Sequence, residues 1–207
     1  MRIEHNMKKI KWVIGICLIL VLAFVYAHIA KANMIYDKSI DSSEYQNTGV
    51  VEGIIEQSFV CTEDSLDGIS VKCQLNGDTT GISVKMELYD NETNALVAES
   101  EVDAEKIKNG KFNEFSFNTV ENTNGKSYTV TFQNMNADVV SGRGVSFSFQ
   151  NNTEDGTKLV INENETQGTL ILKSITDRFD VETYVVLLLM IAYIAGFLVF
   201  LNKLFGK

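Results

Sequence analysis

Cys61 and Cys73 stand twelve residues apart, each near the end of a run that alternates apolar and polar side chains. Such a pair can act as a redox dithiol, ligate a metal, close a disulfide or fill a core. The chain's two histidines, His5 and His28, both precede residue 31, so the central region has none. That removes Ser-His-Asp and Cys-His catalysis there. Two thiols without an imidazole are also too few soft ligands for a zinc site. Cys61 shares its phase with Phe59, and Cys73 shares its phase with Val71. Inert burial and a Cys61–Cys73 disulfide in an oxidising compartment both stay open, with a redox role as the third reading.

Carboxylates are the other reactive groups. Between residues 33 and 178 there are 24 Asp and Glu against 11 Lys and Arg. Paired carboxylates hydrolyse glycosidic bonds without histidine, but most of these acids fall in turns or on the polar side of alternating runs. No catalytic residue is assigned, and an enzyme is not expected. The negative excess argues against a nucleic-acid partner. "DNETN" (90–94) and "NNTEDG" (151–156) gather hard oxygens in turns without EF-hand spacing, which leaves a structural calcium open and requires no other cofactor. Three residues are ligand-binding candidates. Tyr89 is a stacking ring at a strand end, Asp90 lies beside it, and Arg143 in "SGRG" carries a fork suited to hydroxyl or carboxylate. Tyr45 is a second candidate ring, and Trp12, the only tryptophan, lies in the first apolar run. Sequons occur at Asn91, Asn151 and Asn164.

The elements that must position these residues follow a period of two. Alternating runs occur at 54–61, 68–75, 81–89, 96–102, 111–120, 127–135, 144–150, 158–163 and 169–175, separated by turn clusters such as "NGDTTG", "KNG" and "SGRG". Alternation means one buried and one wet face. About nine such strands predict an all-β fold, an antiparallel β-sandwich of the jelly-roll kind. "VDAEKIKN" (102–109) reads as a helical turn. The chain has no proline, unusual for an all-β domain.

Two apolar runs flank this region, Trp12–Ala30 and Tyr184–Leu201. Each is long enough to cross a bilayer as a helix. Lys8, Lys9 and Lys11 precede the first, while Lys203 and Lys207 follow the second, which puts both termini in the cytoplasm. A cleaved signal peptide is the alternative for the first run, since Ala30-Lys31-Ala32 offers a small-x-small site. The expected organisation is a cytoplasmic N-terminus (1–11), transmembrane helix (12–30), linker (31–53), extracytoplasmic sandwich (54–177), juxtamembrane linker (178–183), transmembrane helix (184–201) and cytoplasmic tail (202–207). Neither span has a charge at its middle, which argues against ion conduction or proton relay. Ala192, Ala195 and Gly196 are small enough to admit a second helix closely.

"EQSFVC", "LDGISVKCQL", the long run "GISVKMELYDNETNALVAESEVDAEKIKNGKFNEFSF" and "NGKSYTVTF" together resemble jelly-roll modules in extracytoplasmic parts of bacterial surface-polysaccharide and glycosyltransferase-associated membrane proteins. Those modules are in turn similar to carbohydrate-binding modules. The likeness covers about residues 57–132 and lies mostly in the core pattern. It implies a two-span cell-membrane protein whose outer domain binds glycan, or docks on a partner, during assembly of a surface polysaccharide. A larger membrane protein or a second copy of the chain would be the partner within the membrane. The alternatives are a structural accessory subunit without a sugar site and a small carboxylate-dependent glycan hydrolase.

Overall fold

The alternation read above becomes two antiparallel sheets with a shared apolar interior. The computed structural model describes residues 2–205, with the side chains of residues 14–28, 30–177 and 179–205. His5, Lys8, Lys9, Lys11, Trp12 and Lys207 fall outside those side chains. Lys31–Thr176 forms one unit, and the terminal segments, up to Ala30 and from Asp177, form another.

Helix α1 (Arg2–Tyr26) is followed by strands β1 (His28–Met34), β2 (Gln46–Asn47), β3 (Ile54–Val60), β4 (Ser65–Asn76), β5 (Ser83–Asp90) and β6 (Ala95–Asp103). Then come β7 (Lys111–Glu121), β8 (Ser127–Met135), β9 (Gly144–Gln150), β10 (Lys158–Ile161), β11 (Asn164–Thr166), β12 (Thr169–Leu170), β13 (Leu172–Phe179) and helix α2 (Val181–Phe205). One sheet has the order β1-β13-β4-β9-β12, with β7 also on β4 and β2 also on β9; the other runs β11-β10-β3-β8-β5-β6. The helical turn expected at 102–109 is a single 3-10 turn, Ala104–Lys106.

Ile69, Val71, Cys73, Phe115, Val145, Phe147 and Leu172 of the first sheet meet Ile55, Phe59, Val84, Met86, Leu88, Val130, Phe132 and Leu159 of the second in one core. Phe132 joins the layers, packing edge-on against Phe115 with ring centroids 5.5 Å apart and against Phe147 at 4.9 Å. Each fully buried side chain of this size contributes about 1.5–3 kcal/mol of transfer free energy, and each ring pair about 0.5–1.5 kcal/mol beyond it. The architecture is thus a β-sandwich.

Two buried amides tie the sheets together through the core. Gln57 Oε1 accepts the N–H of Leu170 at 2.9 Å while its Nε2 donates to Lys158 O at 3.2 Å. Asn134 donates to Val145 O at 2.8 Å and accepts Val145 N–H at 2.9 Å, so its side chain acts as a short piece of strand. Beyond the β4–β9 pairing, Ile171 sits in the fork, its N–H bonded to Ser148 O at 2.9 Å and its O to Lys72 N–H at 3.0 Å.

Several expected boundaries move. The first helix ends at Tyr26 rather than running to residue 30, and residues 28–34 are strand. The helix stops where Ala27 O, instead of continuing the helical ladder, accepts the N–H of Asp180 at 2.8 Å. Residues 31–53 are not a free linker, because they supply most of β1 and all of β2. The juxtamembrane linker shrinks to Asp180, which caps α2 by accepting Thr183 N–H at 3.1 Å. Among the described residues one helix, Val181–Phe205, is long and apolar enough to cross a membrane; the described apolar part of the first is Ile14–Tyr26.

Candidate functional site

Residues 35–45 connect β1, at one edge of the seven-stranded sheet, to β2, which lies on β9 (Gln46 opposite Phe149). Their contacts place them on the outer face of that sheet. Lys72 points outward because its neighbours Val71 and Cys73 are fully buried, and Phe112 lies opposite Lys72 on the β4–β7 ladder. Lys173 lies opposite the outward Ser70 on the β4–β13 ladder. The strap holds two tyrosines against these side chains. Tyr36 lies near-parallel to Phe112 with centroids 6.1 Å apart and meets Tyr45 edge-on at 6.4 Å. Lys72 Nζ stands 5.0 Å from the centroid of Tyr45, and Lys173 Nζ stands 3.8 Å from that of Phe112. Three half-buried rings and two ammonium groups thus share one surface.

Asx turns shape the strap. Asp37 accepts the N–H of Ser39 at 2.8 Å and its hydroxyl at 2.7 Å, and Asp41 accepts the N–H of Ser43 at 2.8 Å. Burial, and then the neighbouring Tyr45, push the Tyr36 phenol above its ordinary value; burial, and then Asp41 and Asp37, do the same for Tyr45. Both rings therefore keep their hydroxyl protons and can donate.

Beside Tyr36 an open cleft of about 420 Å³ is lined by Asn33, Met34, Asp37, Lys38 and Glu154. Asn33 Nδ2 is buried there without a hydrogen-bond partner among the described residues. Glu154 accepts amide hydrogens from Gln150 and Asn152, each at 2.9 Å, and the Oε1 of that same Gln150 is also buried and unpartnered. A buried donor left unmade costs about 1–3 kcal/mol, and native folds leave few. Ring faces beside an amide, two carboxylates and an ammonium can take the apolar faces and the hydroxyls of a polyol together.

The three ligand candidates read from the sequence do not converge. Tyr89 is on the outer face of the other sheet, where its hydroxyl donates to Glu87 at 2.8 Å and Lys85 pairs with the same carboxylate at 2.6 Å. Asp90 is a turn residue, its carboxylate accepting the N–H groups of Glu92 at 2.8 Å and Thr93 at 3.1 Å. Arg143 clasps the β4–β5 loop, its Nε donating to Asp78 O at 2.8 Å. That loop precedes β5, and Tyr89 is the last residue but one of that strand, so roughly 20 Å of strand separates them. Tyr45 is where the rings gather, with Tyr36 and Phe112 beside it. The signal for Tyr36 is its place with Tyr45 in a polar, aperiodic stretch, where rings serve a surface rather than the core; Phe112 reads as one more strand residue.

Cys61 and Cys73 are both buried and free. Cys61 follows β3 in one sheet and Cys73 lies in β4 of the other, and the structure holds no bond between them. Burial pushes the Cys73 thiol up to about 12. Among the described residues no three His, Cys, Asp or Glu side chains gather as a metal site. Ala192 and Ala195 line an apolar groove with Gly15, Ile16 and Ile19 of α1, whereas a Cβ added at Gly196 would meet nothing within 4 Å.

No protein-family model matches the chain, and no curated protein matches it. Among solved structures it is similar to the clostridial cysteine protease Cwp84 after propeptide cleavage, with TM-score 0.42 and 10% identity over 66% of this chain and 41% of that one. The chain thus spans less than half the length of that structure.

Proposed function

We propose that the chain is a non-enzymatic, membrane-anchored glycan-binding protein of the cell surface. In this reading the sandwich is an extracytoplasmic jelly roll that engages polysaccharide during its assembly, and both apolar helices cross the cell membrane with the termini inside. The observation that carries it is the cleft beside Tyr36, where Asn33, whose buried amide has no hydrogen-bond partner among the described residues, lies next to a continuous group of rings. A sugar face covers the Tyr36 ring, and a turn of the Asn33 side chain into the cleft brings its buried amide to a sugar hydroxyl.

The test is retention of the detergent-solubilised full chain on immobilised cell-surface polysaccharides. Tyr36→Ala is expected to weaken retention about tenfold, the worth of one aromatic contact. Asn33→Ala is expected to weaken it by a similar factor while leaving the melting temperature unchanged or raised, because the buried orphan donor is removed with it. Absence of retention on every polysaccharide overturns the reading. The second reading, docking on a membrane partner, is supported by the groove at Ala192 and Ala195, small residues that let a helix approach closely. Co-purification of a large membrane protein, lost on Ala195→Phe, would favour it.

A further inference from the structure

Lys72 and Lys173 differ from the other described cations of this domain in standing over aromatic rings. Its formal charge is strongly negative, with 24 acids against 11 bases over residues 33–178. Five other cations of the described unit, Lys31, Lys85, Lys106, Arg143 and Lys158, pair with carboxylates, while Lys38, Lys108, Lys111 and Lys126 form no ion pair among the described residues. Lys72 and Lys173 instead stand over aromatic rings, 5.0 Å and 3.8 Å from the centroids of Tyr45 and Phe112. The nearby acids are held by hydrogen bonds of their own segments and form no ion pair with either lysine among the described residues. Asp37 and Asp41 accept hydrogen bonds within their own turns, and Glu114, on the ladder beside Lys72, accepts the Ser116 hydroxyl at 2.7 Å. A cation over a ring face is a weaker arrangement than one shared between a ring and an anion.

We infer that this face selects an anionic polysaccharide, a sugar chain bearing carboxylate or phosphodiester groups, with Lys72 and Lys173 as its charge-reading residues. The inference rests on the glycan-binding reading above and narrows it to a ligand class. A sugar stacked on Tyr45 or Phe112 displaces the ammonium from the ring face to its edge, where it meets an acidic substituent of the same or the next residue. The two lysines lie on neighbouring ladders, Lys72 in β4 and Lys173 in β13, so two acidic units along one chain can be read together.

The experiment measures retention of the detergent-solubilised full chain on polygalacturonate, on poly(glycerol phosphate) and on neutral dextran, at low and high salt. Binding to either polyanion, with at most weak retention on dextran, is expected, together with a loss of about tenfold or more at high salt. The Lys72→Gln/Lys173→Gln pair should lose about tenfold on the polyanion alone, while Lys158→Gln on the opposite sheet should match the wild type. Preference between the two polyanions assigns the anionic group. Equal retention on dextran and the polyanions, insensitive to salt and to the lysine pair, overturns this inference and leaves the glycan reading standing. Retention on none of the three, or on any other polysaccharide, sinks both.

Discussion

Asp37, Asp41, Asp78, Asp90 and Asp138 each accept a backbone N–H from their own turn. Hydrogen bonds within the turn hold all five below the ordinary carboxylate range. The backbone N–H is the larger cause at Asp37, Asp41 and Asp90, and the Thr80 or Ser141 hydroxyl is the larger at Asp78 and Asp138. As the pH falls, the unfolded chain takes up these protons first. The stability they confer is complete above the ordinary carboxylate range and is lost as the pH drops through the lowered folded values. Melting temperature should therefore hold from neutral pH down to the ordinary carboxylate range and fall below it, and Asp90→Asn should flatten that fall; an unchanged slope would remove the turns from the account. Thiol reactivity is set at the same scale. With Cys73 pushed up to about 12 by burial, its thiolate is scarce at neutral pH. Mass spectrometry after maleimide treatment of the folded protein should find Cys61 and Cys73 unmodified, and both modified after denaturation. At Gly168, with φ of 139°, an added Cβ would stand 2.3 Å from Gln150 O. Gly168→Ala should cost about 2 kcal/mol or more by breaking the β12–β9 pairing.

At the scale of elements, the sandwich was legible where one face is apolar. Ile69, Val71, Cys73 and Leu75 predicted β4, and Ile82, Val84, Met86 and Leu88 predicted β5, because a strand buried on one side must alternate. β1 and β2 were not legible. Each gains its place by pairing with a neighbour already in the sheet; β1 begins inside the apolar run that reads as a span to Ala30, and β2 lies in the polar residues 33–53, which carry no period that would reveal it. The aromatic face was hidden for the same reason, since Tyr36 belongs to that stretch and Phe112 reads as one more strand residue. The buried amides are a related case. Gln57 keeps the inward phase of Ile55 and Phe59 and is fully buried, although its polarity suggests the outside. Gln57→Leu keeps the volume but leaves the Leu170 N–H and Lys158 carbonyl without their side-chain partner. Urea unfolding should show a loss of about 1–3 kcal/mol; a neutral result would mean the two sheets hold without this clasp.

For the whole molecule, α2 is long and apolar enough to cross a membrane, with Leu189 exposed on it. Leu189→Lys should cost about 2.5–3.5 kcal/mol of insertion free energy, and the variant should shift from the membrane pellet toward the soluble or aggregated fraction. Cleavage of residues 31–176 by protease added outside intact cells is the matching check on the proposed topology; protection of that region would overturn it. Gln57 also governs when this molecule can finish folding. It pairs across the ladder with Leu159 and reaches Leu170, more than a hundred positions further along the chain. While the ribosome is still producing the middle strands, β3 has no β10 beside it and no Leu170 to hold. At about 5–20 residues per second, the early strands wait several seconds with an unfilled edge. In a chain without proline, no slow isomerisation lengthens that wait, so delivery of the last strands, rather than any internal rearrangement, sets the moment of closure.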